Sequence, residues 1–459
     1  MKTLVQNGTI VTSSDTFRGD LLIEDGKIGG IASRISQQSD QVIDAAGCYV
    51  IPGGIDVHTH FQLPVKGTVS ADDFTSGSMA AACGGVTTFI DFAHMTAGQS
   101  PFQAIDERIA EAVGNTFIDF GLHLGVSGFT EALLKDVPGI IGRGIPSFKL
   151  YMIYAKEGWM SDDAAMYAML QGVKEHGGII AVHAENPFLI DFFVDRMKRA
   201  GQVSIPNHPL SRPNFVEAEA VRRALYLTEI TDSRIYVVHM STAESASLVA
   251  EAKGKGVMAF AETCPQYLLL DDSLYEGEEG YLFPTCPPLR KKKDQEALWK
   301  AIGMGIIQVI STDHCAFTRQ QKEPGRNDFT RLPGGLPGIE TLLPLIYSEG
   351  VRKGRIGLNQ WIDCLCTNPA KMFGLYPRKG TLNPGADADV VIFDPELTME
   401  AKAENFHYNV DYTPYRGMTI QGWPRVTISR GRVIYREGKF TGEKSWGRFI
   451  PRYYGEAGK

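Results

Sequence analysis

Two histidines one residue apart, in Asp56-Val57-His58-Thr59-His60, follow an apolar β-branched run, Cys48-Tyr49-Val50-Ile51-Pro52-Gly53-Gly54-Ile55. Such a run reads as a buried strand interrupted by a Pro-Gly-Gly bend. Side chains two apart share one face of a strand, so His58 and His60 project together. Two imidazoles from one strand end are half of a transition-metal site. Taken alone, they are equally two ordinary loop histidines, and the rest of the chain has to decide.

Other groups of the same chemistry close later apolar runs. Lys149 ends 147–150, His183 follows 178–182, His239 follows 234–238, and Asp313 follows 306–310 in Ser311-Thr312-Asp313-His314. An ammonium beside divalent cations is electrostatically wrong. A neutral lysine amine, however, can take up carbon dioxide as a carbamate, which turns +1 into −1 and offers two oxygens to two metals. Lys149, flanked by Phe148 and Leu150, is placed for that modification to N6-carboxylysine. Two divalent ions would acidify a shared water and polarise the carbonyl it attacks. Asp313 would take the proton of the bridging hydroxide and hand it to the leaving nitrogen. Tyr154, five residues after Lys149, is a hydroxyl donor for the developing oxyanion.

These groups need elements that bring them to one level. From Gly53 to about residue 375, β-branched runs alternate with helical stretches such as 162–176 and 241–255, as in strand–helix folds. The runs are 85–90, 117–126, 147–150, 178–182, 234–238, 257–260 and 306–310, eight with the one before His58. Eight units over about 320 residues predict an α/β fold, a (β/α)8 TIM barrel, whose chemistry stands at the strands' C-terminal ends. A doubly wound sheet is the alternative, but no Gly-x-Gly-x-x-Gly turn follows a strand. Residues 1–52 read as short strands with hairpin dipeptides at Asn7-Gly8 and Asp25-Gly26. Strands return at 388–394, 425–428 and 432–435, with turns at Gly431 and Gly438. The expected organisation is a β-sandwich from both chain ends, 1–52 and 376–459, flanking a barrel of 53–375.

Composition sets the class. With 459 residues, 43% hydrophobic and 22% charged, the chain is of ordinary globular type. A net charge of −7 argues against a nucleic-acid partner. No stretch approaches the roughly 20 apolar residues of a membrane span, and the first residues carry no signal-peptide core. Seven scattered cysteines without Cys-x-x-Cys read as reduced thiols of a cytoplasmic protein, with Cys364 and Cys366 as packing residues. Of the remaining histidines, His123 and His176 read as structural, and His314 as a residue orienting Asp313.

These motifs resemble the cyclic amidohydrolases, the dihydropyrimidinase (D-hydantoinase) group in particular. The resemblance runs from the opening strands to Gly447-Arg448-Phe449-Ile450-Pro451-Arg452 and rests on 53–60, Asp72-Asp73-Phe74, Ser147-Phe148-Lys149 with Tyr154, 262–268 and Pro287-Pro288-Leu289-Arg290. It implies two divalent metal ions, zinc in the family, although His and Asp ligands also suit manganese or cobalt. His58, His60 and Asp313 would serve one ion and His183 and His239 the other, bridged by carboxylated Lys149. It further implies hydrolysis of a 5,6-dihydropyrimidine or 5-substituted hydantoin to an N-carbamoyl amino acid, with Tyr154 as oxyanion donor, in a homotetramer. Substrate contacts are expected at Cys286 and Gly334, where many relatives have serine and asparagine, through main-chain atoms. Leu63, Tyr151 and Trp159 fall where relatives place bulky residues around the exocyclic group, Trp159 after a one-residue insertion. Dihydroorotase is disfavoured because Phe61-Gln62-Leu63 offers no charge for a substrate carboxylate. Allantoinase is the enzymatic alternative. The non-catalytic collapsin response mediators share the fold but have lost metal ligands, and here all six positions are filled.

Overall fold

The structure is a computed structural model that describes residues 2–96 and 98–454. Eight parallel strands, Gly54–Asp56, Val86–His94, Asp119–Gly125, Ser147–Tyr151, Ile179–His183, Arg234–Val237, Met258–Thr263 and Val309–Ile310, neighbour one another in chain order. The ring is drawn together beyond the ends of its first and last strands. There Thr59 bridges His314, His60 N donates to His314 O at 2.8 Å, and Asp56 accepts from Thr312 Oγ1 at 2.5 Å. Seven of the eight expected runs overlap barrel strands directly; the first, 48–55, divides at Gly53, Tyr49–Pro52 joining the chain-end sheet and Gly54–Asp56 the barrel, and the fold is the expected barrel.

Strand alternation sorts side chains into two layers. Ile179 and Ala181 join Ile55, Ile90, Tyr236 and Val309 in the inner cluster. Ile180 and Val182 join the larger cluster between strands and helices, as period-two packing in a barrel requires. Several helices begin at a side-chain cap. Asp162 accepts from Ala165 N at 2.8 Å ahead of Asp163–Lys174, and Thr242 caps Ala243–Gly254.

The chain ends build a second, mixed sheet of nine strands around its own core. Tyr49–Pro52 pairs antiparallel with Val390–Glu400, which joins the two ends of the sequence. Val5, Leu21 and Val50 pack there with Val390, Ile392 and Ile428. The turns at Gly26 and Gly431 close on each other, a Cβ on Gly431 falling 2.9 Å from Gly26 Cα. Asp25-Gly26 is the expected hairpin turn between Thr16–Glu24 and Lys27–Ala32. Asn7-Gly8 is not. It is a bulge inside the continuous strand Lys2–Val11, with Asn7 at φ 63°. A Cβ on Gly8 would stand 2.4 Å from Val50 Cγ2, so the glycine answers to a close approach rather than a chain reversal.

The seven cysteines are free, and Cys364 and Cys366 are buried in the main core, as expected. The C-terminal segment packs under the barrel of its own chain, with Ile450 N donating to Phe120 O and Arg452 buried beneath strand three. No helix among the described residues is long and apolar enough to cross a membrane.

Candidate active site

A cavity of ≈ 480 Å³ opens at the C-terminal ends of the barrel strands. It is lined by His58, His60, Lys149, His183, His239 and Asp313 at its floor, with Tyr154, Leu63, Tyr151, Trp159, Cys286 and Gly334 around them. Every residue expected from the sequence to hold metal or substrate is therefore on one wall or another of the same cavity.

Two groups of donors face inward. His58 Nε2 and His60 Nε2 each lie 3.2 Å from Asp313 Oδ1, and the three ligand atoms fall within 4.8 Å of one another. Opposite them, His183 Nδ1 and His239 Nε2 are 3.0 Å apart. The His58 and His239 rings stack at 5.5 Å, which brings the groups together. Burial holds His58 and His239 well below the ordinary histidine value, and His183 below it, so the rings are neutral donors. Two imidazoles and a carboxylate aimed at one point, with two further nitrogens beside it, fit a divalent metal site.

Two of the rings, His58 and His183, are held from behind. His58 Nδ1 pairs with Glu262 Oε1, and the same carboxylate accepts from His239 N at 3.0 Å and Tyr236 Oη at 2.7 Å. His183 Nε2 meets Glu185 Oε2 at 2.7 Å, which also accepts from Arg212 at 2.6 Å. Burial opposes ionisation of Glu185, but Arg212 and His183 outweigh it and bring the carboxyl down to about 2. A carboxylate on the far nitrogen fixes the tautomer and turns the free nitrogen inward. From the sequence, Glu262 enters only within the 262–268 motif, and neither it nor Glu185 has a role there. Glu262 closes strand seven, so the rule that found the histidines would have found it.

Backbone strain gathers here. His239, Asp313 and Tyr154 have φ of 38°, 52° and 66°. Tyr236 and Val238 point inward, so a regular strand would turn His239 outward, and the left-handed residue re-aims it. Non-glycine residues in this region cost of order 1–3 kcal/mol each and cluster at functional sites.

Lys149 is buried between Phe148 and Leu150 and points inward by strand parity. Among the described residues it has no ion-pair partner, and its Nζ stands 5.3 Å from the Tyr151 ring centroid. Burial, against Glu262 and Asp313, brings it down to about 8, so a neutral amine is accessible near neutral pH. Tyr154 packs edge-on to His183 at 5.5 Å. Trp159 packs on Tyr151 at 5.3 Å and on His94 at 5.0 Å, and His94 in turn stacks on His60. Leu63 enters from a small hairpin, Pro64–Val65 with Thr68–Val69, that the sequence did not disclose.

The remaining histidines divide clearly. His123 bonds Ser147 Oγ at 2.6 Å and Val57 O at 2.9 Å inside the barrel. His176 is exposed at a helix end. His314 does not hold the Asp313 carboxylate: its Nε2 meets Asp72 Oδ2 at 2.9 Å and its Nδ1 accepts from Gly338 N. The chain turns at Asp313, so adjacent side chains diverge. A second group, Cys83, Glu340 and His407, also converges. There His407 N and Nδ1 donate to the two carboxylate oxygens at 2.6 and 2.7 Å, so the contact anchors a loop.

Comparison with known proteins gives the same direction. A family model described as the amidohydrolase family matches residues 49–434. The D-hydantoinase of Geobacillus stearothermophilus is 45% identical over 456 residues, covering 98% of this chain and 97% of that protein. The D-phenylhydantoinase of Escherichia coli strain K12 is 40% identical over 458 residues, 98% of each. Among solved structures, the dihydropyrimidinase from Brevibacillus agri NCHU1002 superposes with a TM-score of 0.98 at 41% identity, over 99% of this chain and 100% of that one.

Proposed function

The chain belongs to the amidohydrolase family, and from that premise we propose that it hydrolyses the ring amide of 5-substituted hydantoins or 5,6-dihydropyrimidines to N-carbamoyl amino acids. The observation that carries the reading is the convergence of His58, His60 and Asp313, beside His183 and His239, on the floor of a cavity of ring-ligand size.

His58, His60 and Asp313 would hold one divalent ion, His183 and His239 a second, and carboxylated Lys149 both, with zinc the expected metal. Bound there, the ions would supply a water acidified to near neutral pH and polarise the attacked carbonyl. The protein's part is positional. Glu262 and Glu185 keep the inward nitrogens of His58 and His183 free of protons. Asp313 takes the proton of the attacking water and returns it to the ring nitrogen as the C–N bond breaks. Tyr154 donates to the oxygen of the attacked carbonyl as charge develops on it. Main-chain atoms at Cys286 and Gly334 hold the ring, while Leu63, Tyr151 and Trp159 face its exocyclic substituent. That aromatic wall favours aryl or bulky alkyl hydantoins.

Exposed apolar side chains on Pro187–Arg199 and Asn214–Thr231, Phe188, Phe192, Phe215 and Tyr226 among them, support assembly as a homotetramer. Metal content measured together with turnover of dihydrouracil, phenylhydantoin and allantoin tests the proposal. Two ions per chain with opening of either of the first two rings is the expected result. Preferred turnover of allantoin would move the assignment to allantoinase. Bound metal with no ring opened would end it.

A further inference from the structure

Lys322 closes the short helix Arg319–Lys322 beyond the eighth barrel strand and is fully buried. Among the described residues no carboxylate pairs with it. Its Nζ donates to Leu282 O at 2.7 Å and to Gly335 O at 2.8 Å, and its one aromatic neighbour of note is Tyr412, with ring centroid 5.9 Å away. Burial lowers it to about 7, with Cys315 and Cys286 acting the other way. A lysine without a counter-charge is a costly way to fill a core, and an apolar side chain of the same volume would serve packing better.

What the side chain does is join two loop segments at the cavity wall. Leu282 leads into Pro284, Thr285 and Cys286, and Gly335 follows Gly334; all of these except Leu282 line the cavity. Between the two segments, Gly335 N donates to Pro284 O at 3.0 Å. A Cβ on Gly335 would fall 2.1 Å from Cys315 O, so the wall already stands at its closest approach to the segment after strand eight. The same short helix reaches the opposite rim, where Gln321 Nε2 donates to Thr68 Oγ1 at 2.9 Å and Val69 O at 2.7 Å.

We infer that Lys322 is a positioning residue for substrate binding, tying the 284–286 and 334–335 segments into the wall whose main-chain atoms receive the ring. The inference rests on the proposed reading that this cavity takes the substrate. The wall carries its own reporter, because Cys286 is the one cysteine of seven that is not buried.

The test compares wild type with Lys322→Met, and with Tyr412→Phe, which removes only the Tyr412 Oη bond to Leu282 O. Lys322→Met is expected to raise KM for the ring substrate about ten-fold or more, with kcat within about three-fold. Metal content should be unchanged, and labelling of Cys286 by a thiol reagent should quicken in the same variant. Tyr412→Phe is expected to leave both KM and labelling near wild type. Should Lys322→Met not fold, Lys322→Gln, which keeps a donor, takes its place with the same readouts. A folded variant with lower thermal stability but unchanged KM and unchanged labelling overturns the inference, leaving Lys322 a structural residue. A wild type that opens no ring defeats the functional reading instead, and labelling of Cys286 then decides by itself whether Lys322 holds the wall.

Discussion

The two ends of the barrel both bury charge, and they treat it in opposite ways. At the N-terminal end Lys379 Nζ bonds Asp119 at 2.8 Å and Asp389 at 2.5 Å and stands 3.3 Å from Asp387. Arg430 adds a second cation on Asp119 at 3.0 Å. Every charge there meets its opposite, and the cluster ties Asp119, the first residue of strand three, to the chain-end sheet. At the C-terminal end like groups face each other: imidazole against imidazole, carboxylates behind the rings, and an unpaired Lys149 on the floor. The first arrangement is complete in itself. The second leaves inward-facing nitrogens and an amine with no ion-pair partner among the described residues, as a site that takes a ligand does and a structural ion cluster does not.

Lys149→Ala should separate the ends most sharply. It removes an unpaired buried amine, so folding should hold while activity falls by about 10³-fold or more with loss of bound metal. Full activity and two metals in this variant would make Lys149 an ordinary lysine. Lys379→Met should do the reverse. It leaves buried Asp389 without a side-chain cation, while Asp119 keeps Arg430 and Asp387 keeps Lys27 and Arg378, and is expected to cost about 3–5 kcal/mol in urea unfolding, with kcat of the folded fraction near wild type.

Tyr154→Phe should lower kcat by about 10²–10³-fold without change in metal content, as for a lost oxyanion donor. A loss confined to KM would assign the hydroxyl to ring binding. Glu262→Gln keeps the shape but weakens the hold on His58, and a 10–100-fold loss of metal affinity or activity is expected. Retained affinity would reduce Glu262 to a packing role.

The smallest effect is in pH dependence. At the N-terminal cluster burial would raise Asp387, but Lys379, Lys27 and Arg378 outweigh it and depress its carboxyl. The stability it contributes is therefore present above the unfolded carboxyl value of about 3.9 and is lost as pH falls below it towards the depressed folded value. Urea unfolding at pH 7, 5 and 3 should show the loss in its lower half, and Asp387→Asn should flatten it.

The alternation of β-branched runs and helical stretches determined the barrel, because periodicity reports which face of a strand or helix is buried and needs no tertiary information. The spacing of His58 and His60, and the recurrence of Lys149, His183, His239 and Asp313 at run ends, determined the candidate donors for the same reason: strand ends of a barrel share one level. Three things only the tertiary structure decided. Asn7-Gly8 and Asp25-Gly26 are the same kind of dipeptide, yet one is a bulge inside a continuing strand, with Gly8 against Val50, and the other a chain reversal, with Gly26 against the turn at Gly431. His239 lies on the outward parity of its strand and reaches the cavity through a left-handed residue, which no periodicity announces. Glu262, Glu185 and Lys322 act through contacts 204, 2 and 40 residues away along the chain. Two of those three distances are set by closure of the barrel, and a linear pattern carries no record of which distant groups it will bring within hydrogen-bond reach.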